Sequence, residues 1–116
     1  MSINRGDLFW VNLDPVRGSE QAGRRPVLVV QNDTGNAYAP TTIIAPLTTT
    51  AFAKEYPTNV NLPKGIGGLK SDSTVLLSQI RTVDKTRLEE RIGFLPLGYL
   101  FKVERAAKIS LGLASS

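Results

Sequence analysis

The sequence predicts a small, mainly β domain that ends in one α-helix. Short apolar or alternating runs, separated by turn residues, recur from Leu8 to Leu95, the pattern of strands joined by loops. Beyond Pro96 the apolar spacing changes from two to three and four, the period of a helix. No linker or internal repeat interrupts the 116 residues, about the length of one ordinary domain, so residues 1–116 are read as a single unit.

Each element rests on its own residues. Leu8–Leu13 (LFWVNL) is rich in aromatic and branched side chains and reads as a strand. Asp14-Pro15 ends it, and Gly18 and Gly23 mark a long loop. Pro26–Gln31 (PVLVVQ) is a continuous apolar run, as in a strand buried on both faces. Pro26 fits only at its first position, because it has no N–H for a ladder. Asn32–Pro40 reads as a loop, Thr41–Leu47 (TTIIAPL) as a third strand and Thr48–Pro57 as a loop. Thr58–Leu62 (TNVNL) alternates with period two, Pro63–Gly68 (PKGIGG) suits a hairpin connection, and Ser73–Ile80 (STVLLSQI) is a further strand. Glu90–Leu95 is the last candidate, so five to six strands are expected. Leu100, Val103, Ala107, Leu111 and Ala114 form the helical stripe, with Pro96 in the first turn, Gly112 weakening the end, and Glu104 and Lys108 paired on the outer face. Short strands followed by one helix suggest a small barrel or curled sheet with the helix packed on it.

Composition removes whole classes of chemistry. With 41% apolar residues the chain supports a core and is not expected to be disordered. It has no cysteine and no histidine, which excludes disulfides, thiolate metal sites, a cysteine nucleophile and the commonest acid–base residue. Catalysis then falls to carboxylates, Arg, Lys, Tyr, Ser or Thr. No apolar run suits a signal peptide or a membrane span, so a cytoplasmic protein without membrane contact is expected. The net charge of +4 favours a polyanionic partner such as nucleic acid without requiring one.

Several patterns carry little. Lys64–Ser71 (KGIGGLKS) is reminiscent of a phosphate loop, but Leu69 stands where glycine is needed and the segment lies between strands. Asn32-Asp33-Thr34 forms a glycosylation sequon, which means little in a cytoplasmic chain. Asp7, Asp14, Asp72 and Asp84 are dispersed and lack metal-ligand spacing, so no metal and no other cofactor is expected.

Asp14–Pro26 (DPVRGSEQAGRRP) is different, because it crowds Glu20, three arginines and two glycines between two strands. Arg25 directly precedes Pro26, which disfavours the helical region for Arg25 and holds it extended. A guanidinium on so rigid a base suits charge stabilisation. Gly23 lies between Glu20 and Arg25 and would let the loop fold back to bring acid and base together, as a working pair or as a mere salt bridge. Thr48 opens a run of three threonines, residues that are commonly just β-formers or turn residues. Ser78-Gln79 ends the fifth strand and Arg81 follows. Gln79 both donates and accepts, so it suits a base edge or a phosphate.

Together these pieces closely resemble the MazF/PemK family of toxin endoribonucleases (mRNA interferases) of type II toxin–antitoxin systems. The likeness rests on Arg5-Gly6-Asp7, Asp14-Pro15, Gly18-Ser19-Glu20-Gln21, Gly23 to Pro26, the run PVLVVQND, Thr48, Ser78 to Thr82, Asp84 and Arg87-Leu88, and extends from about Arg5 to Leu113. It implies a CcdB/PemK-like toxin fold, a small SH3-like β-barrel with a C-terminal helix. It also implies a homodimer, metal-free and sequence-specific cutting of single-stranded RNA, and a cognate antitoxin whose flexible acidic and apolar tail lies over the active site. Catalysis is assigned to residues matching Arg25 and Thr48, and Glu20 is implicated. PemK-type members carry a His before that Glu and an Asp before the Gln. Here Ser19 and Ser78 stand there, so the His/Asp version of the chemistry does not transfer.

Metal-free RNA cleavage uses the 2′-hydroxyl as nucleophile and leaves 2′,3′-cyclic phosphate and 5′-hydroxyl ends. Arg25, always protonated and able to grip two phosphate oxygens, suits stabilisation of the phosphorane. Thr48 suits orientation of the scissile phosphate or the leaving oxygen. Glu20, the nearby carboxylate, suits proton acceptance if partial burial strengthens it. Ser19, Gln21 and Gln79 are expected to contact RNA, and Arg17, Arg24 and Arg81 its backbone. Two other functions compete. One is a non-enzymatic toxin that binds DNA gyrase, as CcdB proteins of this general fold do. The other is a plain nucleic-acid-binding barrel. The Glu20–Arg25–Thr48 set counts against the first, which does not require it.

Overall fold

In a computed structural model of the chain, residues 2–115 are described. Among them the strands are β1 (Asp7–Asn12), β2 (Arg24–Val29), β3 (Thr41–Thr48), β4 (Asn59–Leu62), β5 (Ser73–Leu76), β6 (Arg81–Asp84) and β7 (Leu88–Phe94), with helices α1 (Asp33–Tyr38) and α2 (Leu97–Ser110). The strands form one antiparallel sheet in the order β4-β5-β3-β2-β1-β7, and β6 also pairs with β3.

The continuous apolar run in β2 is explained by a core on both of its faces. Leu28 packs with Leu8, Ala45, Leu47, Val75 and Val103 beneath α2. Val27 and Val29 pack with Phe9, Val11, Ile44, Val83 and Leu88 on the other side. All three β2 residues are fully buried.

β3 is the shared strand. One edge pairs with β2, from Val29↔Ile44 to Val27↔Pro46. The other edge is divided: Thr41–Ile44 pair with β6, and Leu47 and Thr48 pair with β5. Between β5 and β6 the chain makes a 3₁₀ turn, Leu77–Gln79. The run STVLLSQI, expected as one strand, is therefore a four-residue strand followed by a turn. β6 has no strand signal in the sequence, because only Val83 of its four residues is buried. Asp84 closes it and accepts from the Thr86 hydroxyl (2.7 Å) and amide (2.9 Å). Those bonds, the hydroxyl's first, hold its carboxyl below the usual carboxylate range.

The segment Asn32–Pro40, expected as loop, contains α1. Asn32 caps it, its side chain accepting from Gly35 N–H at 2.8 Å. Asn36 is buried, and its Oδ1 accepts from Thr42 Oγ1 (2.8 Å) and Gln31 Nε2 (3.2 Å).

α2 buries Val103 and Ala106, with Tyr99, Leu100 and Ala107 half covered. Leu111, placed in the apolar stripe by its spacing, is 64% exposed, because the helix already ends at Ser110 and Gly112 turns the chain with φ +73°. Glu104 pairs not with Lys108 but with Arg5 of the N-terminal segment, at 2.7 Å. Among the described residues no helix is long and apolar enough to cross a membrane.

The sheet curls without closing through strand pairing, since β4 and β7 end the pairing order. The gap near β7 is filled by the 3₁₀ turn Ile66–Gly68, whose backbone lies against Gly93. A Cβ on Gly93 would sit 2.2 Å from the Gly67 carbonyl oxygen. Gly93→Ala should therefore cost about 2–3 kcal/mol through overpacking against backbone, lowering Tm by roughly 10 °C; a thermal melt followed by circular dichroism measures it.

Candidate active site

The site is built where the β2–β3 ladder runs out. Val30 N–H donates to the Ile43 carbonyl at 2.9 Å, and Leu28 lies opposite Ala45. Residues 43, 45 and 47 of β3 therefore turn their peptide groups toward β2. Continuing this register sets Leu47 opposite Pro26, which has no N–H to give. The Leu47 carbonyl instead accepts from Arg25 Nη1 at 3.1 Å, and Arg25 Nε donates to the Ala22 carbonyl at 2.9 Å. Strand alternation turns Arg25 to the face of Val27, which Pro46 and Thr48 share on β3. The proline that keeps Arg25 extended thus also leaves open the carbonyl that fixes its guanidinium.

Thr48 is buried at the end of β3. Thr50 N–H donates to its Oγ1 at 3.2 Å, and the Thr48 hydroxyl donates to that of Thr50 at 3.1 Å. This local turn fixes the Thr48 side chain.

The loop between β1 and β2 is tied at three places. Leu13 N–H donates to the Gly23 carbonyl (2.9 Å), and Gly23 N–H to Asp14 Oδ1 (3.0 Å). Gly23 has φ +76°, a conformation that favours glycine. Further out, Gln79 Oε1 accepts from Gln21 N–H at 2.8 Å, while its Nε2 reaches the Ser19 carbonyl at 3.5 Å. Gln79 therefore pins the loop through backbone groups. Glu20 accepts from the Arg17 amide and donates its own amide to the Arg17 carbonyl (3.1 Å). Gly23 does fold the loop back, but toward Leu13 and Asp14. Among the described residues Glu20 and Arg25 form no ion pair, because each is held by backbone instead.

A hollow of about 250 Å³ opens around Pro46, with Glu20, Gln21, Gln79 and Arg81 in its wall. On the divided edge of β3, Pro46 falls between the β6 pairs and the β5 pairs, and it lacks the N–H that a pairing strand would use. Thr48 stands two residues beyond Pro46 on β3, and neither it nor Arg25 lines the hollow.

Six of the arginines divide into two kinds. Arg5, Arg24 and Arg91 pair with Glu104, Glu89 and the buried Asp7 at 2.7, 2.7 and 3.0 Å. Arg25, Arg81 and Arg87 surround the loop and are held by carbonyls: Arg81 Nη1 by that of Leu13 (3.1 Å), and Arg87 Nη2 by those of Asn12 (2.6 Å) and Asp14 (3.0 Å). A carbonyl orients a guanidinium without cancelling its charge, so this corner keeps a field suited to phosphate.

Arg24, expected beside the RNA backbone, is turned away. Neighbouring strand residues point to opposite faces, and Arg24 lies over the Trp10 ring, 4.5 Å from its centre, with Glu89 as partner. Arg17 stands in the loop near Glu20 and outside the hollow. Sequence reasoning passed over Pro46, Thr50 and, as an anchor, Arg87. The proline in TTIIAPL was the available signal for the first, and the threonine run for the second. Among the described residues no cluster of three or more acidic side chains could hold a metal ion.

A sequence model of the PemK-like, MazF-like toxins of type II toxin–antitoxin systems matches residues 4–111. The endoribonuclease MazF of Staphylococcus epidermidis is 49% identical over 111 residues, covering 96% of this chain and 92% of that protein. The crystal structure of MazF from Deinococcus radiodurans superposes with TM-score 0.81 at 32% identity, over 97% of this chain and 98% of that one. A MazE–MazF crystal structure from the same organism gives 0.76 at 31% identity, over 98% and 99%.

The Gln79 brace has a measurable consequence. Gln79→Leu removes the acceptor for Gln21 N–H and should speed hydrogen exchange at that amide about fivefold, the equivalent of roughly 1 kcal/mol for one hydrogen bond. Gln79→Glu, which keeps an acceptor, should leave it protected. Exchange followed by NMR distinguishes the two.

Proposed function

The chain belongs to the PemK-like, MazF-like toxin family of type II toxin–antitoxin systems and is an endoribonuclease, and on that premise we propose that it cuts single-stranded RNA without a metal, by attack of the ribose 2′-hydroxyl. The observation that carries this reading is Arg25: a guanidinium fixed by the Leu47 and Ala22 carbonyls, with no carboxylate partner among the described residues.

The 2′-oxygen forms a bond to phosphorus as it loses its proton, the bond to the 5′-oxygen breaks, and that oxygen leaves as a hydroxyl after gaining a proton. Arg25 stabilises the charge that accumulates on the non-bridging oxygens. Thr48 holds the phosphate so that attack is in line. Glu20, on the wall of the hollow, takes the 2′ proton. Arg81 adds positive potential, while Gln21 and Gln79 contact nucleotides flanking the cut from the same wall. The geometry requires RNA that is splayed and therefore single-stranded.

The family premise carries partners with it. The Deinococcus radiodurans relative is crystallised as MazE–MazF. We extend this to a cognate antitoxin whose acidic segment competes with RNA for the carbonyl-held arginines, and to a homodimeric, cytoplasmic toxin. Gyrase binding and simple nucleic-acid binding are set aside, because the curated relative is an endoribonuclease.

Purified protein should cut single-stranded RNA in EDTA and yield 2′,3′-cyclic phosphate ends, identifiable by mass spectrometry. An all-DNA analogue of the cut sequence should remain intact; equal cutting of that analogue sinks the mechanism. Arg25→Ala should slow cleavage about 10²–10³-fold, as loss of a transition-state donor typically does, while the protein stays folded with a Tm lowered by the loss of the hydrogen bond to the Leu47 carbonyl, about 1 kcal/mol.

A further inference from the structure

The reaction proposed above leaves one proton without a source. As the bond to the 5′-oxygen breaks, that oxygen must be protonated, while Glu20 is engaged at the 2′-hydroxyl. The chain has no histidine, and a guanidinium such as that of Arg25 keeps its proton up to a pKa above about 12. A hydroxyl is the remaining donor. Attack in line sets the leaving oxygen on the side of phosphorus away from the base. Ser78 shares the wall of the hollow with Glu20, whereas Thr48 stands outside that wall.

Among the described residues Thr50 supplies both hydrogen bonds of the Thr48 side chain. Its N–H donates to Thr48 Oγ1 at 3.2 Å, and the two hydroxyl oxygens lie 3.1 Å apart. Any residue but proline offers that amide, so the amide alone suffices to shape the turn. The Thr50 hydroxyl is a second contact with a use of its own. Each hydroxyl both donates and accepts, so the pair supports its bond in either direction. When Thr48 turns its proton toward substrate, Thr50 donates to the Thr48 oxygen in exchange. Thr48 is only 7% exposed, whereas Thr50 is open to solvent. Thr50 therefore links the buried hydroxyl to water.

We propose that Thr50 is a positioning residue that makes Thr48 the proton donor to the leaving 5′-oxygen and replaces the donated proton from water. The electron pair of the breaking bond moves to the 5′-oxygen, which takes the Thr48 proton. Thr48 takes that of Thr50, and Thr50 takes one from water. The proton accepted by Glu20 returns to solvent and restores the balance. Thr48 acting alone would be left as a buried alkoxide, a charge costly to keep unpaired, and transfer from Thr50 in the same step avoids it. Donation to the 5′-oxygen also keeps the attack in line, because that oxygen is itself bonded to phosphorus. The inference rests on the RNA-cleaving reading above and adds to it the source of the leaving-group proton.

The test compares an RNA that the wild-type protein cuts with the same RNA carrying sulfur in place of the 5′-bridging oxygen at the cut. The sulfur leaves as a thiolate without needing a proton, since a thiol is an acid of pKa about 8.5. Thr50→Val keeps the amide and the branched shape. It should lower kcat for ordinary RNA about 10²-fold, the low end of what a positioned proton donor contributes, with KM unchanged. It should cut the sulfur RNA as fast as the wild type does, which also serves as the check on folding. Thr50→Ser, which keeps the hydroxyl, should retain the wild-type kcat on both. A Thr50→Val defect of equal size on the two RNAs overturns the proposal, because it makes Thr50 a support for the turn and nothing more. So does a Thr50→Val protein that raises KM alone, or one that cuts ordinary RNA at the wild-type rate. If the wild type cuts neither RNA, the cleavage reading itself falls first and this one with it.

Discussion

Two missing N–H groups organise the molecule. Strand β3 has peptide groups to satisfy on both edges, and buried backbone groups must find partners. Opposite one edge, Pro26 cannot serve the Leu47 carbonyl, and Arg25 takes that place. On the other edge, Pro46 cannot serve a neighbour, and there the pairing passes from β6 to β5. The first absence fixes a guanidinium and the second opens a hollow. Both occur at the end of the β2–β3 ladder, so the place where the sheet runs short of hydrogen bonds is the place where polar side chains gather.

The same economy governs charge. An arginine clamped by a carboxylate is rigid but nearly neutral to its surroundings, as Arg91 is on Asp7. An arginine clamped by carbonyls is rigid and still cationic. Arg25, Arg81 and Arg87 are of the second kind, and their carbonyls come from Leu47, Leu13, Asn12 and the loop itself. The β1–β2 loop is therefore both a cover over the site and the framework that aims its charges. The cost is that the cations depend on that loop's shape, which rests on Gly23 and on the Gln79 brace.

What the sequence revealed, and what it hid, follows from this arrangement. β1, β2, β3 and α2 were legible because their burial is periodic or continuous. α1 was not, because six residues with an internal glycine and a buried Asn36 carry no apolar stripe. β6 escaped because it follows an apolar run that does not pause at the Leu77–Gln79 turn. In the site, Arg25 and Thr48 were visible through Pro26, the threonine run and the family likeness. The bond from Arg25 to the Leu47 carbonyl was not, since it depends on a register that no local pattern encodes. Composition groups Arg24 with Arg25, whereas strand alternation puts Arg24 on Trp10.

The proposed catalytic groups differ in how firmly they are held, and the difference suits the reaction. Arg25 stands on a strand, with two carbonyls on its guanidinium, and Thr48 is buried against Thr50. These are the groups that must meet a phosphorane in fixed geometry, where a small displacement wastes most of the stabilisation. Glu20 stands on a loop and is oriented by a single amide of that loop. A proton acceptor for a 2′-hydroxyl has to find its partner only after the ribose has been turned for in-line attack. A base on an adjustable support, beside a stabiliser on a rigid one, allows the nucleotide to be bent first and deprotonated second. Fixing Glu20 against Arg25 in an ion pair would spend the charge of both, and the fold avoids this by giving each a backbone partner.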